Sequence, residues 1–249
     1  RRIASFKPLE GETNRNVNNA ALVVIQPHNG EILTLVGSAD YFDSSIYGAL
    51  NMAIAPRQSG SAFKPIIYAA ALDPTHTQPW TAAASILDVS TTFTTKDNQP
   101  YMPVNYDGRE HGFVSVREAL ASSLNVPAVL TLQNVGIEKV IALANRLGVR
   151  SLDEPRQYDL SLALGGGEMS LLELSSAYAA FANNGNYTGN TSILDIRDAD
   201  GNLLYTPQYI PALQIIDPRV AWLISDILSD DRARSTGFGI NSVLKIYRV

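Results

Sequence analysis

The sequence contains no cysteine among its 249 residues. This absence excludes a disulfide framework, a thiolate metal site and a cysteine nucleophile. Histidine is almost as scarce, since His28, His76 and His111 lie far apart and match no metal-ligand spacing such as HxxxH or HxH. We therefore expect no bound metal and no cofactor, and we interpret the three histidines as surface or structural residues.

Charged residues are also sparse, at 17% of the chain against about 25% in an average soluble domain. Lys and Arg number 19 and Asp and Glu number 24, which gives a net charge of −5, and the basic residues are scattered rather than clustered. Binding to nucleic acid needs a basic surface that neutralises phosphates. We therefore expect no nucleic-acid partner.

Long hydrophobic runs are missing too, because no run approaches the roughly 20 apolar residues of a membrane-spanning helix. Residues 1–6 do not resemble a signal peptide. Apolar residues still make up 45% of the chain, which predicts a folded protein with a sizeable core. Residues 1–18 have no periodicity and are rich in Asn, Glu and Lys, so we interpret them as a linker from an upstream region of a longer protein.

Secondary-structure patterns predict strands towards both ends of the chain and helices between them. Residues 21–25 and 32–36 predict a hairpin closed by Asn29-Gly30, and residues 191–206 predict a second hairpin. Helical patterns cover residues 65–72, 116–148, 169–185 and 216–228. This order predicts an α+β domain with a helical insertion.

The first of these helices begins with the residues best suited to carry chemistry. Ser61 and Lys64 lie one helical turn apart, at the start of a run that is apolar on all sides. A serine hydroxyl needs an adjacent base, and a lysine serves as that base when burial lowers its pKa. The pair is therefore chemically sufficient to form an acyl-enzyme.

Spacing alone is a weak signal, since roughly one SxxK pattern is expected by chance in a chain of this length. A second copy, Ser242 with Lys245, stands among strand-like residues near the end of the chain. The first copy has the better context, because Gly60 permits close approach of the backbone and the apolar residues after Lys64 exclude water. Chemistry is therefore expected at the first copy.

The only SxN pattern in the sequence is Ser123-Leu124-Asn125. Taken alone, it predicts a turn between two helices, where serine and asparagine are common. As a partner of Ser61, it supplies a relay hydroxyl and a side-chain amide for substrate binding.

Longer segments around these patterns resemble a known family. They are residues 57–65, 103–112, 117–128 and 164–168. In them the sequence resembles the transpeptidase domain of class A penicillin-binding proteins, over residues 19–249 and in the family's order. Residues 36–41 favour the penicillin-binding protein 1C type. The resemblance implies an α+β penicillin-recognising serine enzyme fold, with an antiparallel sheet and a helical subdomain.

The resemblance also implies a role for each candidate residue. Ser61 attacks the D-alanyl carbonyl of a peptidoglycan stem peptide, Lys64 takes its proton, and Ser123 protonates the leaving D-alanine. Asn125 binds the substrate amide. The amine of a second stem peptide then resolves the acyl-enzyme, as in a D,D-transpeptidase, and β-lactams acylate Ser61 as substrate mimics.

For the longer parent protein, the resemblance implies a glycosyltransferase domain and a membrane anchor upstream, with the enzyme outside the cytoplasm. The family's third motif, Lys-Thr/Ser-Gly on a core strand, is absent from the sequence. Residues 234–237 offer an arginine in its place, but residues 233–239 better resemble the loop before the family's last strands. We therefore expect the domain to be incomplete at its C-terminus. We also expect a chain that ends at Val249 to be acylated very slowly or not at all.

Two other classes of function stay open on the sequence alone. A D,D-carboxypeptidase or a β-lactamase-like hydrolase would use the same Ser61 and Lys64 and admit water to the acyl-enzyme. A non-catalytic module that binds wall peptide is expected to have lost its nucleophile, whereas Ser61, Lys64, Ser123 and Asn125 are all present. The class A resemblance favours transfer over both.

Overall fold

The computed structural model describes residues 17–207 and 211–245. The predicted linker, residues 1–18, lies outside the described residues apart from its last two positions. The strands are β1 (Leu22–Ile25), β2 (Ile32–Val36), β3 (Arg57–Gln58), β4 (Ser85–Asp88), β5 (Phe93–Thr94), β6 (Pro100–Tyr101), β7 (Gly112–Ser115), β8 (Glu168–Met169), β9 (Asn186–Tyr187), β10 (Ile196–Arg197), β11 (Leu203–Tyr205) and β12 (Leu213–Gln214). The helices are α1 (Lys64–Leu72), α2 (Val116–Ala121), α3 (Asn125–Val135), α4 (Ile137–Arg146), α5 (Leu171–Ala182), α6 (Pro218–Ser229) and α7 (Asp231–Phe238).

These strands pair two by two in antiparallel ladders, and β1 with β2 and β10 with β11 confirm the two predicted hairpins. Within the described ranges no ladder has more than two strands, so the expected antiparallel sheet is present there as separate pairs. The β3–β8 pair matters most for the site. It joins Arg57 to Met169 and Gln58 to Glu168, and so holds the segment before Ser61 against a distant part of the chain.

Helix α1 forms the centre of the core. All nine of its residues are buried, and it packs against α3, α4 and α6. A helix that is apolar on every side is stable only when other elements surround it, so the predicted buried helix is confirmed. The helix ends at Leu72 because Asp73 precedes a proline, which disfavours the helical backbone at that position.

The helical pattern over residues 116–148 is divided into α2, α3 and α4. The first break confirms the turn between two helices that the SxN pattern predicts when taken alone, whereas the second break was not predicted. The first break is the turn at residues 122–124, where Ser123 has a positive φ of 55°. The second is Gly136, with a φ of 93°, and α3 and α4 meet there at an angle of 92°. Pro127 fits into the first turn of α3, where a backbone N–H would have no helical partner.

The end of the described chain corrects another expectation. Residues 233–239, expected to be a loop, lie largely in α7, because the Asp230 side chain accepts hydrogen bonds from the N–H groups of Arg232 and Ala233 and caps a new helix. Arg234 is buried there and donates to the Leu228 and Leu244 carbonyls. The Arg234 segment is therefore helical rather than part of a strand.

A test of helix length and hydropathy over the described residues finds no single helix able to cross a membrane. The pair formed by α3 and α4 passes the same test by length and composition, but is sharply bent.

Candidate active site

Ser61 lies in a short 3-10 helix, Gly60–Phe63, that leads directly into α1. The residue is exposed, and in the part of the chain that the structure describes its hydroxyl makes no hydrogen bond. The preceding Gly60 has a φ of 55°, a conformation that glycine adopts without the cost a side chain would add. Ser61 is thus presented to solvent at the N-terminal end of a buried helix.

Two contacts from other parts of the chain hold this turn in place. The Tyr178 hydroxyl donates a hydrogen bond of 2.9 Å to the Ala62 carbonyl, and burial raises the pKa of Tyr178 to about 12, so it stays a donor at neutral pH. Gly165 lies against Gly60 so closely that a Cβ on Gly165 would stand 2.1 Å from the Gly60 nitrogen. Close approach of the backbone at Gly60 was expected from the sequence, and Gly165 supplies it.

Lys64 is almost completely enclosed, with 1% of its surface exposed. Its Nζ lies 2.6 Å from the Ser123 carbonyl, 2.7 Å from Asn125 Oδ1, and 3.2 Å from both Ser123 Oγ and the Leu124 carbonyl. Burial lowers the pKa of Lys64 to about 7. Near neutral pH the ammonium and the free amine are therefore both populated, and the amine is available as a base.

Ser123 lies in the turn between α2 and α3, and both its carbonyl and its hydroxyl face Lys64. Its left-handed backbone costs a non-glycine residue about 1–2 kcal/mol, and such strain persists where the surroundings hold the turn. The neighbouring Ser122 provides that hold, since its Oγ donates to the Ala233 carbonyl and accepts from the Gly237 N–H of α7.

Asn125 is the first residue of α3, and its side-chain amide has one defined orientation. Its Nδ2 donates to the Val104 carbonyl at 2.6 Å, and its Oδ1 accepts from Lys64. An amide nitrogen carries two hydrogens, so one donor remains for another acceptor. That donor is suited to a substrate carbonyl.

Three of the four candidate residues are thus brought together by hydrogen bonds: Lys64, Ser123 and Asn125. Ser61 lies one turn before Lys64, and none of these three side chains bonds to its hydroxyl in the described structure. The second SxxK copy is elsewhere, near the end of the described residues, where Ser242 Oγ accepts from the Leu244 N–H. Over the described ranges, no cluster of three or more His, Asp or Glu side chains is placed to hold a metal ion.

The sequence analysis missed four residues that support the site: Tyr178, Gly165, Asn105 and Asp88. Asn105 lies in the segment at residues 103–112, which carried part of the family resemblance but received no role. Its Oδ1 accepts from the Asn125 N–H at 2.7 Å, and its Nδ2 donates to the carboxylate of Asp88. Gly165 likewise lies in a segment of the family resemblance, residues 164–168, and received no role. Tyr178 and Asp88 have no local signal, because they reach the site only through the fold.

Comparison with known proteins gives the family. The sequence model of the family described as the penicillin-binding protein transpeptidase domain matches residues 20–249. Penicillin-binding protein 1A of Neisseria meningitidis serogroup A is 34% identical over 217 residues, which are 84% of this chain and 26% of that protein. Penicillin-binding protein 1A of Aquifex aeolicus is 37% identical over 200 residues, which are 80% of this chain and 26% of that protein. The chain spans about a quarter of the length of these curated relatives.

Solved structures agree. The crystal structure of penicillin-binding protein 1A from Haemophilus influenzae matches with a TM-score of 0.73 and 27% identity, over 85% of this chain and 35% of that one. The structure of PonA1 from Mycobacterium tuberculosis in complex with penicillin V has a TM-score of 0.71 at 23% identity, over 88% of this chain and 57% of that one, and supports the fold alone. These relatives carry the 1A name or none of the numbered types, so the 1C type stays a prediction. The expected α+β penicillin-recognising fold is confirmed, and the chain belongs to the penicillin-binding protein transpeptidase family as the transpeptidase domain of a class A protein.

Proposed function

We propose that this domain cross-links peptidoglycan stem peptides as a D,D-transpeptidase, through an acyl-enzyme on Ser61. The observation that carries the proposal is the state of Lys64. It is a buried lysine with a pKa of about 7, one helical turn from an exposed serine and bonded to the Ser123-Leu124-Asn125 turn. A lysine in that state can accept a proton from a serine at neutral pH, as a transpeptidase nucleophile requires.

In the proposed acylation, Ser61 Oγ attacks the carbonyl of the penultimate D-alanine while Lys64 Nζ takes its proton. The Ser61 N–H, in the first turn of its 3-10 helix, is a donor for the oxyanion that develops. The C–N bond then breaks, and the leaving D-alanine amine takes a proton from Ser123 Oγ. Lys64 then gives its proton to Ser123 across their 3.2 Å contact. Both side chains regain their starting protonation states, and Ser61 carries the ester.

Deacylation follows the same path in reverse with a different amine. The amino group of a second stem peptide attacks the ester and gives a proton to Ser123 Oγ, while Ser123 passes its own proton to Lys64. Lys64 then protonates Ser61 Oγ as the ester C–O bond breaks, and Ser61 is released. In the same proposal a β-lactam acylates Ser61 through its ring amide. The amine that leaves stays attached to the ring and keeps the acceptor out, so the ester persists.

The setting of the parent protein is part of this proposal. Stem peptides and β-lactams are the partners, and peptidoglycan places the enzyme outside the cytoplasm. We include an upstream glycosyltransferase domain and a membrane anchor in the parent. The relatives support this part by their length, about four times the matched region.

Product analysis of the parent protein tests the proposal. A stem-peptide substrate is supplied with a labelled amine acceptor, and the products are separated by mass spectrometry, with penicillin-treated protein as the blank. Transfer to the acceptor supports a transpeptidase. If hydrolysis products are the only products, the carboxypeptidase or β-lactamase-like alternative replaces the transpeptidase proposal. If no acyl-enzyme forms at all, the binding-module alternative replaces it.

A further inference from the structure

A buried polar chain that the proposed reaction does not use lies directly behind Asn125. Asp88, at the end of β4, is completely buried, and Asn105 is 6% exposed. The Asp88 carboxylate accepts from Asn105 Nδ2 at 2.8 and 3.0 Å, and its Oδ2 lies 2.6 Å from His111 Nδ1. Burial of a carboxylate is costly unless hydrogen bonds compensate, so the Asp88 carboxylate holds its partners Asn105 and His111 firmly in place.

Asn105 is held in one orientation by its partners. Its Nδ2 donates to Asp88 and to the Arg109 carbonyl, which can only accept, so its Oδ1 must point to the Asn125 N–H. That N–H opens α3, and the residue before it, Leu124, gives the helix no side-chain cap. Asn105 therefore caps α3 from a distant loop, and fixes where the backbone of Asn125 lies.

The residue next to Asn105 fixes the side chain of Asn125. The Val104 carbonyl accepts from Asn125 Nδ2, and because a carbonyl cannot donate, the amide must turn its Oδ1 towards Lys64. One short segment thus determines both the position of Asn125 and the direction of its amide. If the segment moved, the amide could turn over and present Nδ2 to Lys64, and the lysine would lose an acceptor.

Tyr68 on α1 faces Asp88, and burial together with the Asp88 charge raises the pKa of Tyr68, so its phenol stays neutral. The charged and titratable groups bonded within the chain itself are Asp88 on β4, His111 before β7, and Asp107, whose Oδ2 lies 3.2 Å from His111 Nε2. Between these bonded groups and Lys64 stand the amides of Asn105 and Asn125, which do not pass protons at ordinary pH. The connection to Lys64 is therefore positional and electrostatic, and is not a proton relay.

We propose that Asn105, anchored by the buried carboxylate of Asp88, is a positioning residue that orients the Asn125 amide towards Lys64. This inference rests on the proposed function in one respect, namely that Lys64 acts as a base. It assigns a role to a residue that lies outside the SxxK and SxN patterns.

The test compares Asn105→Ala with Asn183→Ala in the parent protein. Asn183 is a matched control, because it is also buried and its Nδ2 also donates to a backbone carbonyl, that of Asn186, but it lies away from the site. One readout is the rate of acylation by a fluorescent penicillin against pH. The other is the titration of Lys64 followed by NMR of labelled lysine, which needs no catalysis.

Loss of the acceptor removes an interaction that favours the ammonium form, so the Lys64 midpoint should fall in Asn105→Ala and stay unchanged in Asn183→Ala. Acylation should slow by about 10- to 100-fold, since a displacement near 1 Å at a reacting group can cost that much. If Asn105→Ala folds and neither readout differs from the control, Asn105 has only a structural role. If Asn105→Ala does not fold, Asn105→Ser, which keeps a hydroxyl for Asp88, decides by the same readouts.

The two readouts separate the inference from the proposed function. If the Lys64 midpoint shifts in the Asn105 variants but penicillin does not acylate the unaltered protein, Asn105 keeps its positioning role and the proposed enzyme is overturned. If the Asn105 variants are acylated normally and their Lys64 midpoint is unmoved, the proposed enzyme stands and the positioning role of Asn105 is overturned.

Discussion

The chain carries the serine-lysine pattern twice, and the two copies lie in opposite surroundings. Lys64 opens a helix whose residues are all buried, and its Nζ is enclosed by oxygen atoms of the Ser123-Leu124-Asn125 turn. Lys245 is exposed near the end of the described chain, and Ser242 accepts a hydrogen bond from the Leu244 N–H. The same spacing produces a lysine that titrates near neutral pH in one place and a surface turn in the other.

The comparison shows that the packing around the lysine, rather than the spacing of the motif, makes it a base. Desolvation by α1 and its neighbours lowers the pKa of Lys64 to about 7. The acceptor oxygens keep the amine in one place while it changes charge. Lys245 is exposed, so the second copy lacks this desolvation. The predictions below test what desolvation and the acceptor oxygens contribute in the first copy.

The largest effect is expected from removal of the Ser61 hydroxyl, with removal of the Ser242 hydroxyl as the control. Ser61→Ala should abolish covalent labelling of the parent protein by a penicillin, because Ser61 is the exposed hydroxyl one turn before the lysine base, whereas the Ser123 hydroxyl is half-buried and bonded to Lys64. Ser242→Ala should label normally. Mass spectrometry of the digested adduct locates the modified peptide, and an adduct on Ser242 or Ser123 would contradict the assignment.

The next effect concerns the two lysines. Lys64→Arg keeps a cation but cannot supply a base, since the pKa of arginine stays above about 12. Acylation should slow by roughly 10²- to 10⁴-fold, the usual contribution of a general base. Lys245→Arg is the control and should react at the normal rate. Normal acylation of Lys64→Arg, measured by stopped-flow with a chromogenic β-lactam, would reduce Lys64 to an electrostatic anchor.

A smaller effect is expected when the support of Ser61 is altered. Gly165→Ala and Gly201→Ala both place a side chain at nearly the same φ, 85° and 86°, and share a strain of about 1–3 kcal/mol. Only Gly165 lies against Gly60, whereas a Cβ on Gly201 meets nothing within 4 Å.

Gly165→Ala should therefore slow acylation by up to about 10²-fold, because the displaced Gly60 carries Ser61 with it. Gly201→Ala should lose only stability, as measured by thermal unfolding. Equal acylation rates in the two variants would show that the contact between Gly165 and Gly60 does not position the nucleophile.

The smallest effect is a pH dependence of stability. Because the pKa of Lys64 is about 7 in the folded chain and near 10.5 when unfolded, the unfolded state binds more protons between these values. The contribution of Lys64 to the free energy of unfolding should therefore rise with pH from about 7 to about 10.5. Below pH 7 this contribution is constant and at its lowest.

Lys64→Met should remove this part of the pH dependence, and Lys245→Met should leave it. Denaturant unfolding at several pH values from 6 to 10 measures the difference between the two variants. Parallel curves for Lys64→Met and the unaltered protein would mean that Lys64 titrates alike in the folded and unfolded states.

Local features of the sequence were enough to predict much of the fold. The hairpins β1–β2 and β10–β11, and the buried helix α1, depend on turn residues and apolar runs that lie next to each other in the chain. The turn between α2 and α3 was predicted from the SxN pattern, whereas the break at Gly136 was missed, because the helical pattern continues on both sides of it. The Asp230 cap that begins α7 was missed too, because the resemblance favoured a loop.

The sequence by itself determined the pairing of Ser61 with Lys64, since one helical turn in an apolar run places both at the start of a helix that must be buried. It also determined the polar turn that holds Ser123 and Asn125. Only the tertiary structure decided that this turn encloses Lys64, that Asn105 and Asp88 hold Asn125 from behind, and that Tyr178 and Gly165 hold the Ser61 turn. The physical reason is that a helix or turn is encoded by neighbours in sequence, whereas desolvation and the partner of each buried polar group depend on segments that meet only when the whole domain packs.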